Sequence, residues 1–306
     1  MAETSAEATR ADAVRQRAVW ALRLAVAAAA VGVWRWLCQL GESPLLEWLH
    51  SPRDVGGWGM GEGVAIAAQS AVGWICLGCG GWCLLQPHWL PAAWLAAVQV
   101  VLAWAMTETD SGFPVSAQWL GPATRRAFPL LTNSLRIAAP AVLAWWAWRR
   151  GRQATDHGLP VRSRGFEAVL RWALAVTFAA HGVEALQHNP VFVDLLLDFA
   201  RRWLRFDMPE QSARWLLTAI GVMDVAVAVL CVTTRWRGVL LWMAAWGLVT
   251  ALSRVAANGW FWWHDVAVRA PHFAVPLAIA WLADAVELSD EILADPTPGA
   301  PRAASR

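Results

Sequence analysis

Lysine and tyrosine are both absent from this chain, and charged residues of every kind fill only 16% of its 306 positions. All 25 basic residues are therefore arginine, and a net charge of +2 is too small and too scattered for a nucleic-acid surface. A phosphate loop that needs lysine is excluded. There is likewise no GxGxxG after a strand, no CxxCH haem attachment and no HExxH zinc helix. The signatures of soluble enzymes are missing, and any chemistry must come from another arrangement.

What fills the chain instead is apolar. Hydrophobic residues make up 58% of it, mean hydropathy is +0.39, and 24 residues are tryptophan. That is the composition of a polytopic α-helical membrane protein, with the lipid bilayer as its first partner. Tryptophan takes the interfacial place that tyrosine shares elsewhere. The hydropathy pattern predicts eight spans, over 18–38, 62–85, 88–106, 127–148, 167–187, 210–232, 236–256 and 270–287. Residues 1–17 are polar and mixed in charge, which reads as a retained cytoplasmic tail rather than a cleavable signal. Residues 289–306 read as a disordered tail. With the N-terminus inside, cytoplasmic segments hold twelve arginines against seven outside, which predicts both termini in the cytoplasm. The exceptions, Arg201, Arg202 and Arg205, belong to an amphipathic stretch, 190–206, expected to lie in the outer interface.

The charged linker 149–165 divides the membrane part into halves, 18–148 and 166–288, that resemble each other. At a shift of 148 positions Arg23 matches Arg171, Glu62 matches Glu210, Gly73 matches Gly221, Cys83 matches Cys231 and Trp94 matches Trp242. Further on the shift becomes 136, where Arg136-Ile-Ala-Ala-Pro140 faces His272-Phe-Ala-Val-Pro276. After the first span of each half comes a similar short unit, Ser43-Pro44 then LLEWL, and Asn189-Pro190 then VFVDLLL. The expected architecture is all-α, two repeated four-helix halves in parallel orientation.

The second half carries most of the polar content. Its first helix ends in His181-Gly182 with Glu184 three residues after the histidine, and His188 follows four later. All three lie near one face of a helix. Its second helix carries Gly221-Val-Met-Asp224, a basic turn Arg235-Trp-Arg237 precedes the third, and the fourth begins at His272. Over about 165–287 this pattern resembles the DoxX family of small four-helix bacterial membrane proteins. It departs from that family at Glu184, where a basic residue is expected, and at Asp224, where the usual residue is glutamate. The resemblance implies a four-helix fold, a bacterial inner membrane as location and a place among membrane subunits of redox systems, with a soluble redox enzyme as partner.

His181, Glu184, Asp224 and His272 are the candidate catalytic residues, and His188, Arg254, His264 and Asp265 the candidate ligand-binding residues. Three readings stay open. The group hydrogen-bonds a quinone and passes protons, histidine being the acid/base that works near neutrality. It relays protons or a small solute in a transporter. Or its members pair with one another as polar glue between helices, in a non-catalytic anchor or assembly factor. The donor types also suit a divalent metal, but their spacing defines no ligand set and no metal site is assigned.

Other features read as structural. Cys76, Cys79 and Cys83 form one stripe with Gly73 and Gly80, as close helix packing requires. Arg23 and Arg171 sit near helix ends, where snorkelling accounts for them. Trp260-Phe-Trp-Trp263 reads as an interfacial belt. In the first half Glu62, Gln69, Glu108, Asn133 and Arg136 are thinner counterparts, and that half is expected to be structural.

Overall fold

The computed structural model describes residues 2–109, 122–153 and 164–294, and all regular structure among them is helical. Helix α1 (Ala2–Arg35) ends in a π turn, Trp36–Leu40, and leads to short α2 (Pro44–His50). Then come α3 (Glu62–Leu85), α4 (Trp89–Glu108), α5 (Pro122–Thr132) and α6 (Ser134–Gln153). The second half opens with α7 (Arg164–Leu186) and short α8 (Pro190–Phe199), which ends in a π turn, Ala200–Leu204. It continues with α9 (Glu210–Thr233), α10 (Arg237–Asn258), α11 (Trp263–Val268) and α12 (Ala270–Ala294). At 1.5 Å per residue the 24 residues of α3 or α9 reach about 36 Å, enough to cross about 30 Å of hydrocarbon. Seven helical segments have the length and hydropathy of a membrane span, and the bent pair α5–α6 makes an eighth if it is one span. This is an all-α, multi-pass integral membrane protein.

Three expected boundaries move. The polar stretch expected as a tail continues α1 from Ala2; Asp12 and Arg15, one turn apart, pair at 2.7 Å on it, the kind of contact that supports a helix of mixed charge. The single span expected over 127–148 is two helices meeting at 57° around Asn133. Pro129 and Pro140 flank that break, and each removes a backbone N–H from the ladder. The last helix runs to Ala294, into the segment expected as a disordered tail. Of the linker expected at 149–165, α6 covers the beginning and α7 the end, and 154–163 lie outside the described residues.

The helices of the two halves correspond in order and in contact. Helix α1 packs on α3 as α7 packs on α9, and α4 packs on α6 as α10 packs on α12. The bounds of α3 and α9 lie 148 positions apart at both ends. Arg23 Nε donates to the Cys83 carbonyl at 2.9 Å, and Arg171 Nη1 donates to the Cys231 carbonyl at 2.8 Å. Both guanidiniums are buried and hold the unpaired carbonyls at the ends of α3 and α9. Snorkelling therefore does not describe them. Charge-assisted bonds of about 1.5–3 kcal/mol each offset the cost of keeping an arginine off water. Between the halves, α1 lies against α11 and α12 while α7 lies against α5 and α6. Their shared core includes Leu37, Leu135, Leu143, Leu170, Leu174 and Ile279.

Candidate functional site

The site is set by close helix approaches in the second half. A Cβ on Gly182 would stand 2.9 Å from the Gly221 carbonyl oxygen, and one on Gly221 would stand 2.7 Å from that of Gly182. Only glycine at both positions lets the backbones of α7 and α9 touch, which sets His181 and Asp224 on facing helices at one level. Gly247 does the same between α10 and α12, where a Cβ would meet the His272 carbonyl oxygen at 2.4 Å. That glycine went unnoticed in the sequence, where it stands inside an apolar run.

His181 Nδ1 lies 2.7 Å from Glu184 Oε2, and Glu184 is buried. A carboxylate accepts, so Nδ1 carries the proton and Nε2 is left to work on the other side. His272 Nδ1 lies 3.2 Å from the Arg269 carbonyl oxygen, which likewise fixes Nδ1 as the donor. His272 Nε2 has no hydrogen-bond partner, and the two imidazole rings are 6.0 Å apart. These two histidines stand between two cavities.

The first cavity is an apolar chamber of about 430 Å³ among α7, α8, α9, α10 and α12. Phe178, Phe192, Leu196, Leu217 and Ile220 line it, with His181, Arg254 and His272 at one end. Asp224 is its one acidic group; the residue is 6% exposed and its Oδ1 has no partner. Phe199, Val249 and Leu252 also line the chamber and are exposed, so it opens on the apolar surface between α8 and α10. Helix α8 closes it from the end, held by Val193 against Ala185, Ala213 and Leu217.

The second cavity, about 360 Å³, is the more polar of the two and lies between the halves at the end of the bundle away from the N-terminus. His181, Arg254, Arg269 and His272 face it as well as the chamber. Glu184, His264 and Asp265 join from the second half, and Trp36, Asn133 and Arg136 from the first. The break around Asn133 and the break at Arg269, 136 positions apart, bring α6 and α12 in with Arg136 and His272 on their first turns.

Seven of the eight candidate residues thus line one or both cavities. His188 does not join them. It takes a left-handed conformation, φ 52°, as the chain leaves α7, and its Nε2 is 2.9 Å from Thr218 Oγ1. The helical face that would have kept it with His181 ends two residues earlier. Arg136 and Arg269, neither of them among the eight candidates, also line the polar cavity, and Arg136 does so although its half is expected to be structural. The belt of Trp260, Phe261 and Trp262 is exposed as expected, yet Trp262 also reaches the polar cavity, its ring 5.5 Å from that of His264.

Among the described residues no group of three or more His, Cys, Asp or Glu has the geometry to hold a metal. The five cysteines are free. Cys76 and Cys83 are buried and Cys79 partly so, consistent with packing of α3 on α1. Comparison with protein-family models, with curated proteins and with solved structures finds no match.

Proposed function

We propose that this integral membrane protein is the membrane subunit of a redox system and binds an isoprenoid quinone in its second, DoxX-like half. The observation that carries the reading is the apolar chamber that opens on the apolar surface of the bundle and is lined by His181, Asp224 and His272. A quinone has an apolar chain and a head whose carbonyls accept hydrogen bonds and protons. The chamber suits the chain. The Glu184-oriented imidazole of His181, and the free Nε2 of His272, suit the head. The Asp224 carboxyl, buried in an apolar wall near Trp246 and with Oδ1 unmet, is the kind of group that a ligand satisfies. Duplication of a four-helix half accounts for the paired arginine clamps and for the common helix order. The arginine balance supports termini in the bacterial cytoplasm, the side from which a soluble redox partner would dock.

The test is to solubilise the protein gently and identify by mass spectrometry what co-purifies. Wild type should carry stoichiometric quinone, and a His181→Ala/Glu184→Ala variant of unchanged helicity should lose it. No quinone in either, with an unchanged profile of partner proteins, would give the protein to the anchor reading. Solute flux in liposomes without donor or acceptor would give it to the transporter reading.

A further inference from the structure

We propose that the polar cavity between the halves is a binding site for a small anionic group, phosphate- or carboxylate-like, held by Arg136, Arg254 and Arg269. The inference does not depend on what fills the apolar chamber. It begins with how charge is matched in the cavity. Two carboxylates face it, and each has a histidine close by: Glu184 at 2.7 Å from His181, and Asp265 at 3.7 Å from His264. None of the three arginines has a carboxylate within ion-pair distance among the described residues. Arg136 is held through Nη1 by the Asn133 side-chain oxygen, and its Nε has no partner. Arg254 stands over the Phe192 ring at 5.4 Å, and its Nε is also free.

Arg254 is 8% exposed, so its unpartnered nitrogen is a buried donor facing a cavity. Leaving such a donor unmet costs about 1–3 kcal/mol, more for a charged group. The cations also repel one another, since Arg269 lies within electrostatic reach of both Arg136 and Arg254; Asp265 acts in the opposite sense on both, and Glu184 on Arg254, with less effect than Arg269. Within a low-dielectric bundle that repulsion is strong. An anion between them would relieve both costs at once. A forked guanidinium is the group best shaped to take two oxygens of one anion. His264, a residue only 2% exposed, adds a buried imidazole to the same cavity. At about 360 Å³ the cavity has room for such an anion with several waters.

The two halves must both be present to build it, because Arg136 comes from α6, Arg254 from the end of α10 and Arg269 from the break between α11 and α12. The same anionic chemistry is offered by a dissolved anion or by the phosphate of a lipid headgroup.

The experiment is calorimetric titration of inorganic phosphate into the full chain in phosphatidylcholine nanodiscs. Saturable binding should appear, and Arg136→Gln and Arg269→Gln should each weaken it at least tenfold. Arg136→Lys should recover part of the loss. Arg214→Gln, which removes an exposed arginine paired with Glu210 at the same end of the bundle, should leave the affinity unchanged. Absence of saturable binding in folded wild type would overturn the proposal, as would an equal loss in Arg214→Gln. Repeating the titration with phosphatidylglycerol in the discs separates the sources. Weakened phosphate binding would assign the site to a lipid headgroup, and unchanged binding to a soluble anion. Quinone content, measured on the same samples, keeps the two readings apart. Phosphate binding without quinone would sink only the redox assignment, and quinone without phosphate binding only the anion site.

Discussion

At matched positions the two halves use polar side chains in opposite ways. In the first half the buried Gln69 amide donates to the Leu37 carbonyl at 2.8 Å, and its oxygen meets the Ser43 hydroxyl that caps α2. The end of α1, the short helix and α3 are thereby stitched together. Leu217 stands at the corresponding place in the second half and lines the apolar chamber. Where Val33, Trp36 and Cys76 stand in the first half, the second has His181, Glu184 and Asp224. Satisfied polar groups mark a scaffold. Unsatisfied ones, aimed into a cavity, mark a site.

The largest test of that contrast is His181→Ala beside Val33→Ala, with retained quinone measured on protein purified from membranes. The first should reduce occupancy at least tenfold, and the second should leave it within a factor of two. Equal losses would mean that the halves do not differ in the way their polar atoms indicate. A second test compares the arginine clamps. Arg171 also pairs with the partly buried Glu167 at 2.7 Å, whereas Arg23 stacks on Trp20 and has no carboxylate within ion-pair distance among the described residues. Arg171→Ala therefore strands a carboxylate and should cost about 3 kcal/mol, against about 1–2 for Arg23→Ala. Thermal unfolding in detergent would show it, and the reverse order would contradict the assigned pairing.

Smaller effects separate the glycines. In Gly221→Ala the new methyl meets backbone, the Gly182 carbonyl, and should cost about 1–3 kcal/mol. In Gly73→Ala its first obstacle is the Cys38 sulfur, at the end of a side chain that can turn, so the loss should stay under about 1 kcal/mol. The smallest expected change is Cys79→Ala, within about 0.5 kcal/mol and without effect on quinone content. A lost ligand there would overturn the packing reading of the cysteine stripe.

Hydropathy alone located every long helix, because about 20 apolar residues in a row have few other uses. The short helices after α1 and α7 were legible from Ser-Pro and Asn-Pro, which cap and start a helix. The break around Asn133 was harder to see, since its flanking residues keep the hydropathy of a single span. His188 was misplaced for a local reason. Spacing arguments assume that a helix continues, and this one ends at Leu186. Arg136 and Arg269 were out of reach for a global reason. Their meeting depends on how one half docks on the other, and no periodicity within either half records it.

That docking gives the first half a hold on the second that its own helices would not suggest. It supplies a wall and one arginine to a cavity that residues 164–294 do not complete by themselves. Expressed as two separate chains, the halves would have to meet in the same membrane to form it. Deletion of the first half would leave the chamber without its vestibule. A single seam, crossed by one side chain from the quieter half, makes each half necessary to the other.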